Sequence, residues 1–161
     1  DNRDSFGRLF FCLNIFMILE LIPNTHPLLH EKIRTCSNEL DRHELSRILH
    51  ENMFHYNGIG LSANQIGIHE RVFIMMIDIE TETTVTCFNP KIVKKYDDNV
   101  WCEEGCLSYP DEIINVQRPD RIVVKYEDEN KKEYKLKLDG MASRVFQHEF
   151  DHLEGIDFTQ R

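Results

Sequence analysis

The chain lacks a surplus of basic charge. It carries 28 acidic against 19 basic side chains, a formal net charge of −9. A phosphate backbone is bound by clustered Lys and Arg, so no nucleic-acid partner is expected. The densest basic group, Lys131, Lys132, Lys135 and Lys137, alternates with Glu133, Tyr134 and Leu136 and reads as the wet face of a strand. Long apolar runs are also missing. The stretch Phe10 to Leu21 (FFCLNIFMILEL) is too short and interrupted to span a bilayer, and no small-residue cleavage site follows it. Cysteine is sparse: the five residues Cys12, Cys36, Cys87, Cys102 and Cys106 are odd in number and irregular in spacing. That pattern excludes a secreted disulfide framework and points to reduced thiols in a cytoplasm, free to bind metal.

What is present is one ordinary globular domain. Its 161 residues, 41% hydrophobic and 29% charged, suffice for a real core. Residues 1–16 read as a non-core extension ahead of Met17, the expected natural start, and residues 17–161 as a single catalytic domain without repeats, low-complexity tracts or linkers.

The chain in order gives a coarse plan. Asp41 with Glu44 three residues later forms a capping box. It opens a helix with apolar positions Leu45, Ile48, Leu49 and Met53, interrupted by Asn52 and ended by Gly58. A small-residue stretch, Gly58 to Gly67, follows and allows close backbone approach to a ligand. Arg71 to Ile79 is a nearly continuous apolar run, as in a buried strand. Thr84–Phe88 returns, Asn89-Pro90 breaks the pairing, and Lys91–Tyr96 resumes it. Trp101 to Pro110 is punctuated by Gly and Pro. Arg121–Glu127 and Glu133–Leu138, joined by Asp128–Lys132, form the clearest hairpin. Asp139-Gly140 leads into a last helix that Gly155 closes.

That last helix carries Gln147-His148-Glu149-Phe150-Asp151-His152. A spacing of four places two side chains about 40° apart around a helix, so both imidazoles can grip one divalent cation. Glu149, about 100° around from His148, stands beside that cation as a proton carrier. This is hydrolytic chemistry, with metal-activated water and a carboxylate base. His50 and His55 give a contrast: five residues apart, they turn about 140° from one another and cannot share a metal.

Catalytic sites of this kind use three protein ligands and keep a fourth position for water. The third could be an aspartate, glutamate, histidine or cysteine. Metzincin proteases place a histidine six residues past the second, where this chain has Phe158. Three stretches decide the matter together: Gly58–Gln65 (GIGLSANQ), Glu104–Ser108 (EGCLS) and Gln147–Leu153 (QHEFDHL). In this order they resemble the three motifs of the peptide deformylase family, over Ile18 to Phe158.

The resemblance implies an α+β fold, with antiparallel or mixed sheets packed around a central helix carrying HExxH and one N-terminal helix. It implies a linear-amide hydrolase that removes the N-formyl group from formylmethionyl nascent chains, releasing formate. The metal ligands would be Cys106, His148 and His152, holding Fe2+ or, in its place, Zn2+ or Ni2+. Glu149 would be the general acid/base, and Gln65 with the Leu107 N–H would stabilise the oxyanion. Ile59, Gly60, Glu104 and Gly105 would bind substrate, Ile59 against the methionine side chain. Cys102 is expected in the pocket or core, and Gln147 and Asp151 in supporting positions.

Three departures stand out from the family pattern. Ser62 replaces the usual alanine, Ile113 stands seven residues after Cys106 where many bacterial members have a peptide-binding arginine, and Arg161 comes eight residues after Leu153. The C-terminal helix associated with ribosome docking is thus not part of the sequence, so a ribosome contact is not expected to rest on it. A monomer is expected, in the cytoplasm of a bacterium, of a virus-infected cell, or in an organelle. The rival readings are a general zinc endopeptidase, favoured by HExxH alone, and a metal-stapled binding protein without activity.

Overall fold

The computed structural model describes residues 16–161, so nearly all of the N-terminal extension lies outside the described residues. Among the described residues two α-helices, α1 (Arg42–His55) and α2 (Gly140–Leu153), accompany seven strands. These are β1 (Gly60–Ser62), β2 (Val72–Asp78), β3 (Thr83–Lys95), β4 (Asn99–Cys106), β5 (Tyr109–Pro119), β6 (Ile122–Glu127) and β7 (Glu133–Leu138). Five strands form one sheet in the order β1-β2-β3-β6-β7, and β4 with β5 forms a separate two-stranded sheet. All pairings are antiparallel. The expected α+β class holds, in its fully antiparallel form.

The apolar run of β2 follows from its position between two cores. Successive strand residues point to opposite faces. Val72, Ile74 and Met76 pack with Leu45, Ile48, Leu49 and Met53 of α1. Phe73 and Met75 pack on the other side with Val145, Phe146 and Leu153 of α2, and the Phe73 and Phe146 rings meet edge to face at 5.0 Å. A strand covered on both faces has no polar side to show.

Asp41 caps α1 as expected, its Oδ1 accepting the Glu44 N–H at 3.1 Å. The Glu44 carboxylate instead pairs with Arg47. Asn52, the polar interruption, is fully buried. It accepts the Leu19 N–H and donates to the Met17 carbonyl, both at 2.8 Å, and so straps the segment before the first helix onto α1. Gly58 is not the left-handed residue that ends α1; Asn57 takes that conformation (φ 56°), which asparagine tolerates better than most residues. Gly58 lies close to Leu107 instead: a Cβ there would lie 2.8 Å from the tip of that side chain, which would have to shift.

A second expectation is corrected. Asn89-Pro90 does not break the return strand: β3 runs through it as one strand. The register shifts between Phe88 and Lys91, with Asn89 at φ 50°. Thr83 to Phe88 pair with β2, while Phe88 and the residues after the shift pair with β6. The proline, which has no N–H to give, sits at the irregularity where none is required. Trp101 to Pro110, which its Gly and Pro punctuation left unassigned, spans most of β4, the turn and the first residues of β5. The β6–β7 hairpin stands as expected, and Gly155, at φ 74°, closes α2. No described helix is long and apolar enough to cross a membrane.

Gly155 has two reasons to be glycine. Its φ is positive, and a Cβ would meet the Glu31 backbone at 2.7 Å. Gly140 also has positive φ (55°) but faces open space. Gly155→Ala is therefore expected to cost about 2–3 kcal/mol and to lower the melting temperature by about 5–10 °C. Gly140→Ala, with strain alone, should cost less than half as much, as thermal unfolding of both variants will show.

Candidate active site

The three motifs converge from separate elements. GIGLSANQ enters as β1 followed by the 3-10 turn Ala63–Ile66, EGCLS ends β4, and QHEFDHL closes α2. Asn64 fastens the first to the third by donating to the His152 carbonyl at 2.8 Å. Between them opens a cleft of about 330 Å³ whose lining includes Ile59, Gly60, Gln65, Glu104, Gly105, Cys106, Leu107, His148 and Glu149. His152 lies buried behind them. The ten residues singled out in the sequence are thus brought to one place.

Cys106, His148 and His152 offer one ligand atom each, all within 4.8 Å of one another. Cys106 Sγ is 3.3 Å from His152 Nε2. It is the only such group of His, Cys, Asp and Glu side chains among the described residues; His50 and His55 form none. Burial, with the positive charge of His148 and Arg118 nearby, keeps the His152 ring neutral. Its lone pair is therefore available. Burial also opposes charge on His148, yet bonds to Cys106 and Glu104 outweigh this and push its pKa up to about 10. An imidazole so strongly drawn to a positive charge, beside a thiol, fits a divalent cation in place of the proton.

His148 is aimed by its other nitrogen. Nδ1 lies 2.9 Å from Glu104 Oε1, turning Nε2 to the cleft, as metal-binding histidines commonly require. The Glu104 carboxylate is itself clamped by Arg118 at 2.6 and 3.0 Å and by Arg144 at 2.7 Å. Burial opposes its charge, but His148 and Arg118 hold its pKa down at about 2. Arg118 continues to Asp151 at 2.8 Å, and Asp151 to Arg161 at 2.7 Å. Glu104 thus lines the cleft while spending its carboxylate on this buried lattice. Gln147 donates to the Pro119 carbonyl and to Ser143, and Asp151 holds the two arginines, so both serve the scaffold.

Glu149 stands apart from that lattice. It is almost fully buried, and its Oε2 has no hydrogen-bond partner. Burial is the main cause that raises its pKa to about 7, a value suited to giving and taking protons near neutrality. Gly60 allows this placement, because a Cβ there would lie 2.7 Å from Glu149 Oε1.

Several contributors were not assigned from sequence. Ser62, noted only as a departure, donates from both its backbone N and its hydroxyl to Gln65 Oε1 at 3.0 Å. That fixes the amide so that Nε2 faces Cys106 Sγ at 3.7 Å and Ser108 Oγ at 3.0 Å. Phe158 covers the His148 ring, centroids 5.6 Å apart. Met141, Arg144 and Val145 also line the cleft; the helical register of α2, which repeats a face every three to four residues, could have found them one and two turns before His148. Cys102 is outside the metal group and the cleft lining, on the hairpin's inner side opposite Val116.

Arg118→Met would strand Glu104 and Asp151 as buried carboxylates. The expected cost is about 3–5 kcal/mol, read as a melting temperature lowered by about 10 °C or more. Arg121→Met, which removes an exposed pair with Asp98, should leave the melting temperature nearly unchanged.

Comparison with known proteins agrees with this geometry. Residues 18–161 match the Polypeptide deformylase family. Peptide deformylase 2 of Prochlorococcus marinus is 42% identical over 120 residues, covering 73% of this chain and 60% of that protein. A Thermotoga sp. peptide deformylase is 42% identical over 111 residues, covering 69% and 66%. The chain therefore spans less than two thirds of either relative. Peptide deformylase of Natranaerobius thermophilus is matched more fully, 38% identical with 89% and 92% covered. Among solved structures, Thermotoga maritima peptide deformylase superimposes with a TM-score of 0.84 at 33% identity, covering 90% of this chain and 97% of that one. A peptide deformylase from Synechococcus elongatus in complex with actinonin gives 0.83 at 34% identity, covering 89% and 79%. In sequence profile, in similarity to relatives and in three-dimensional structure alike, the chain belongs to the polypeptide deformylase family.

Proposed function

We propose that this protein hydrolyses the formamide at the N-terminus of formylmethionyl peptides, releasing formate and a free amine. One observation carries the reading: Glu149 keeps a buried, unpartnered carboxylate oxygen beside the cluster of Cys106, His148 and His152. A structural metal site has no use for such a group, and a hydrolase does. The family is metal-dependent, and the two imidazoles and one thiol suit Fe2+ as the working ion, with Zn2+ or Ni2+ able to replace it. A divalent cation held there acidifies water and polarises the formyl oxygen.

The side chains supply the rest. Glu149 takes a proton from water as the new C–O bond forms at the formyl carbon. Gln65 Nε2 and the Leu107 N–H donate to the oxygen that gains charge, where such donors favour the transition state over the ground state. Glu149 then passes the proton to the peptide nitrogen as the C–N bond breaks. Gly60 and Gly105 offer backbone groups to the peptide, and Ile59 faces the methionine side chain. Nascent chains in the cytoplasm are the natural source of such substrates, and the protein acts as a monomer.

Glu149→Gln is expected to bind as much metal as the parent protein while releasing formate about 10²–10⁴-fold more slowly. Formyl-Met-Ala with anaerobically loaded enzyme is the assay, with metal content measured in parallel. Near-normal turnover by this variant would remove Glu149 from its role. Cleavage of internal peptide bonds by the parent protein would favour the endopeptidase reading instead. Cys106→Ala should lose stoichiometric metal, whereas Cys102→Ala should retain it, as metal analysis after gel filtration will report.

A further inference from the structure

The net charge of −9 conceals a segregation. Eight of the chain's nine lysines fall between residues 91 and 137, on β3, β6, β7 and the turn that joins the last two. The register brings five of them to one face of the sheet. Lys91 of β3 stands across from Lys125 of β6, and Lys125 across from Lys135 of β7. One step along the strands, Val123 lies between Lys94 and Lys137. Tyr96 follows, and its ring gathers Lys94, Arg121 and Lys137 at 4.4, 4.7 and 5.2 Å from its centroid. Alternate residues such as Ile122, Val124 and Leu138 turn to the opposite face, where they pack with Val145, Phe146 and Leu153 of α2.

Lysine on an edge strand guards against pairing with another sheet, which accounts for Lys135 and Lys137. It does not account for Lys125, since β6 lies between two neighbours. Like charges directly opposite one another in a sheet are destabilising, and here three stand in one row. Among the described residues, only Lys125 of these five lysines has a carboxylate partner, Glu133 at 3.4 Å. Glu127, at the same end of the face, is taken by Arg42, and Asp98, at the other, by Arg121. Acidic groups elsewhere on the protein are screened beyond about 8 Å at physiological salt. The net charge, which argues against a nucleic-acid partner, is an average that this face escapes.

We infer that the face formed by Lys91, Lys94, Arg121, Lys125, Lys135 and Lys137 binds the phosphate backbone of a nucleic-acid duplex. Strands about 4.8 Å apart carry the row of Lys91, Lys125 and Lys135 across about 10 Å, and the row of Lys94 and Lys137 runs beside it about 7 Å further along. Single strands are held by bases stacked on open aromatic rings, whereas the Tyr96 ring is already occupied by its three cations. A duplex is held through its phosphates, which this plane of ammonium groups matches. An anionic membrane is the poorer match. Surface-lying elements anchor with Trp, Phe or Leu, and Val93 is the only large hydrophobic residue that these three strands expose. Because α2 packs on the other face of the sheet, a bound duplex leaves the cleft open. The inference stands independently of the deformylase reading.

The test follows the anisotropy of fluorescein-labelled RNA and DNA duplexes of about 16 base pairs, titrated with the protein at about 50 to 200 mM salt. The parent protein should bind both, more weakly as salt rises, because phosphate contacts carry no sequence. The triple variant Lys91→Gln, Lys125→Gln, Lys135→Gln should bind at least about tenfold more weakly at the lowest salt, with the slope of log K against log salt reduced by about 2–3. A second triple variant, Lys32→Gln, Arg34→Gln, Lys131→Gln, removes as many charges away from the face and should keep its affinity within threefold. Thermal unfolding near the parent's midpoint certifies the fold of both variants without reference to turnover. Saturating RNA duplex should leave formate release from formyl-Met-Ala within twofold. Failure of the parent protein to bind either duplex, equal losses in the two triple variants, or inhibition of formate release by the duplex would overturn the inference. So would tighter binding to vesicles of phosphatidylcholine and phosphatidylglycerol than to the duplexes.

Discussion

The contact between Glu104 and Arg118 is the constraint on which the rest of the site depends. Glu104 belongs to β4, Arg118 to β5, and Arg118 reaches on to Asp151 of α2. Arg144, also on α2, holds the same carboxylate from the other side. One buried carboxylate thus fastens a two-stranded hairpin to the helix that bears both histidines and also orients the first of them. Buried ion pairs add little net stability compared with an apolar replacement, but they are costly to break and tolerate few arrangements. Their contribution here is geometric. Cys106 arrives on the hairpin and His148 and His152 on the helix, and the lattice fixes the distance between them.

The large sheet sets the other half of the site. β2, covered by α1 on one face and α2 on the other, is the partition through the molecule, and β1 lies along it. From the end of β1 the 3-10 turn brings Gln65 toward Cys106, held by the Ser62 hydroxyl and backbone. The two halves meet through the packing of α2 on β2, through the cleft, and through contacts such as Asn64 with the His152 carbonyl. Each half positions one part of the chemistry. The hairpin and α2 present Cys106, His148 and His152, the group that could hold a metal ion, together with Glu149, and the β1 turn presents Gln65.

How much of this could be read from the sequence varied with the kind of signal. The histidine spacing is a local property of one helix, and it survives into the structure because nothing distant alters a helical repeat. The β6–β7 hairpin was equally local. The β4–β5 hairpin was obscured because its outer face shows no apolar alternation, while its inner face is built from charged residues whose partners are on other elements. Glu104 and Arg118 are fourteen positions apart and Glu104 and Arg144 forty, and no period connects them. Asn89-Pro90 looked like an ending because proline cannot donate to a ladder. It is instead the irregularity at which β3 exchanges one neighbour for another. Ser62 was visible as a letter but not as a function, since a hydroxyl's importance depends on what its turn brings near.

The closeness of Gly60 to Glu149 has a consequence for the approach of strand and helix. These residues lie 89 positions apart in the sequence, yet a Cβ at position 60 would press at once on the Glu149 carboxylate and on Val145. A side chain at 60 would have to displace two buried neighbours on α2 together, so shortening the residue at 149 would lift only part of the constraint. The smallness of one residue on β1 thus sets how closely the strand and the histidine-bearing helix can approach at the point where the acid sits.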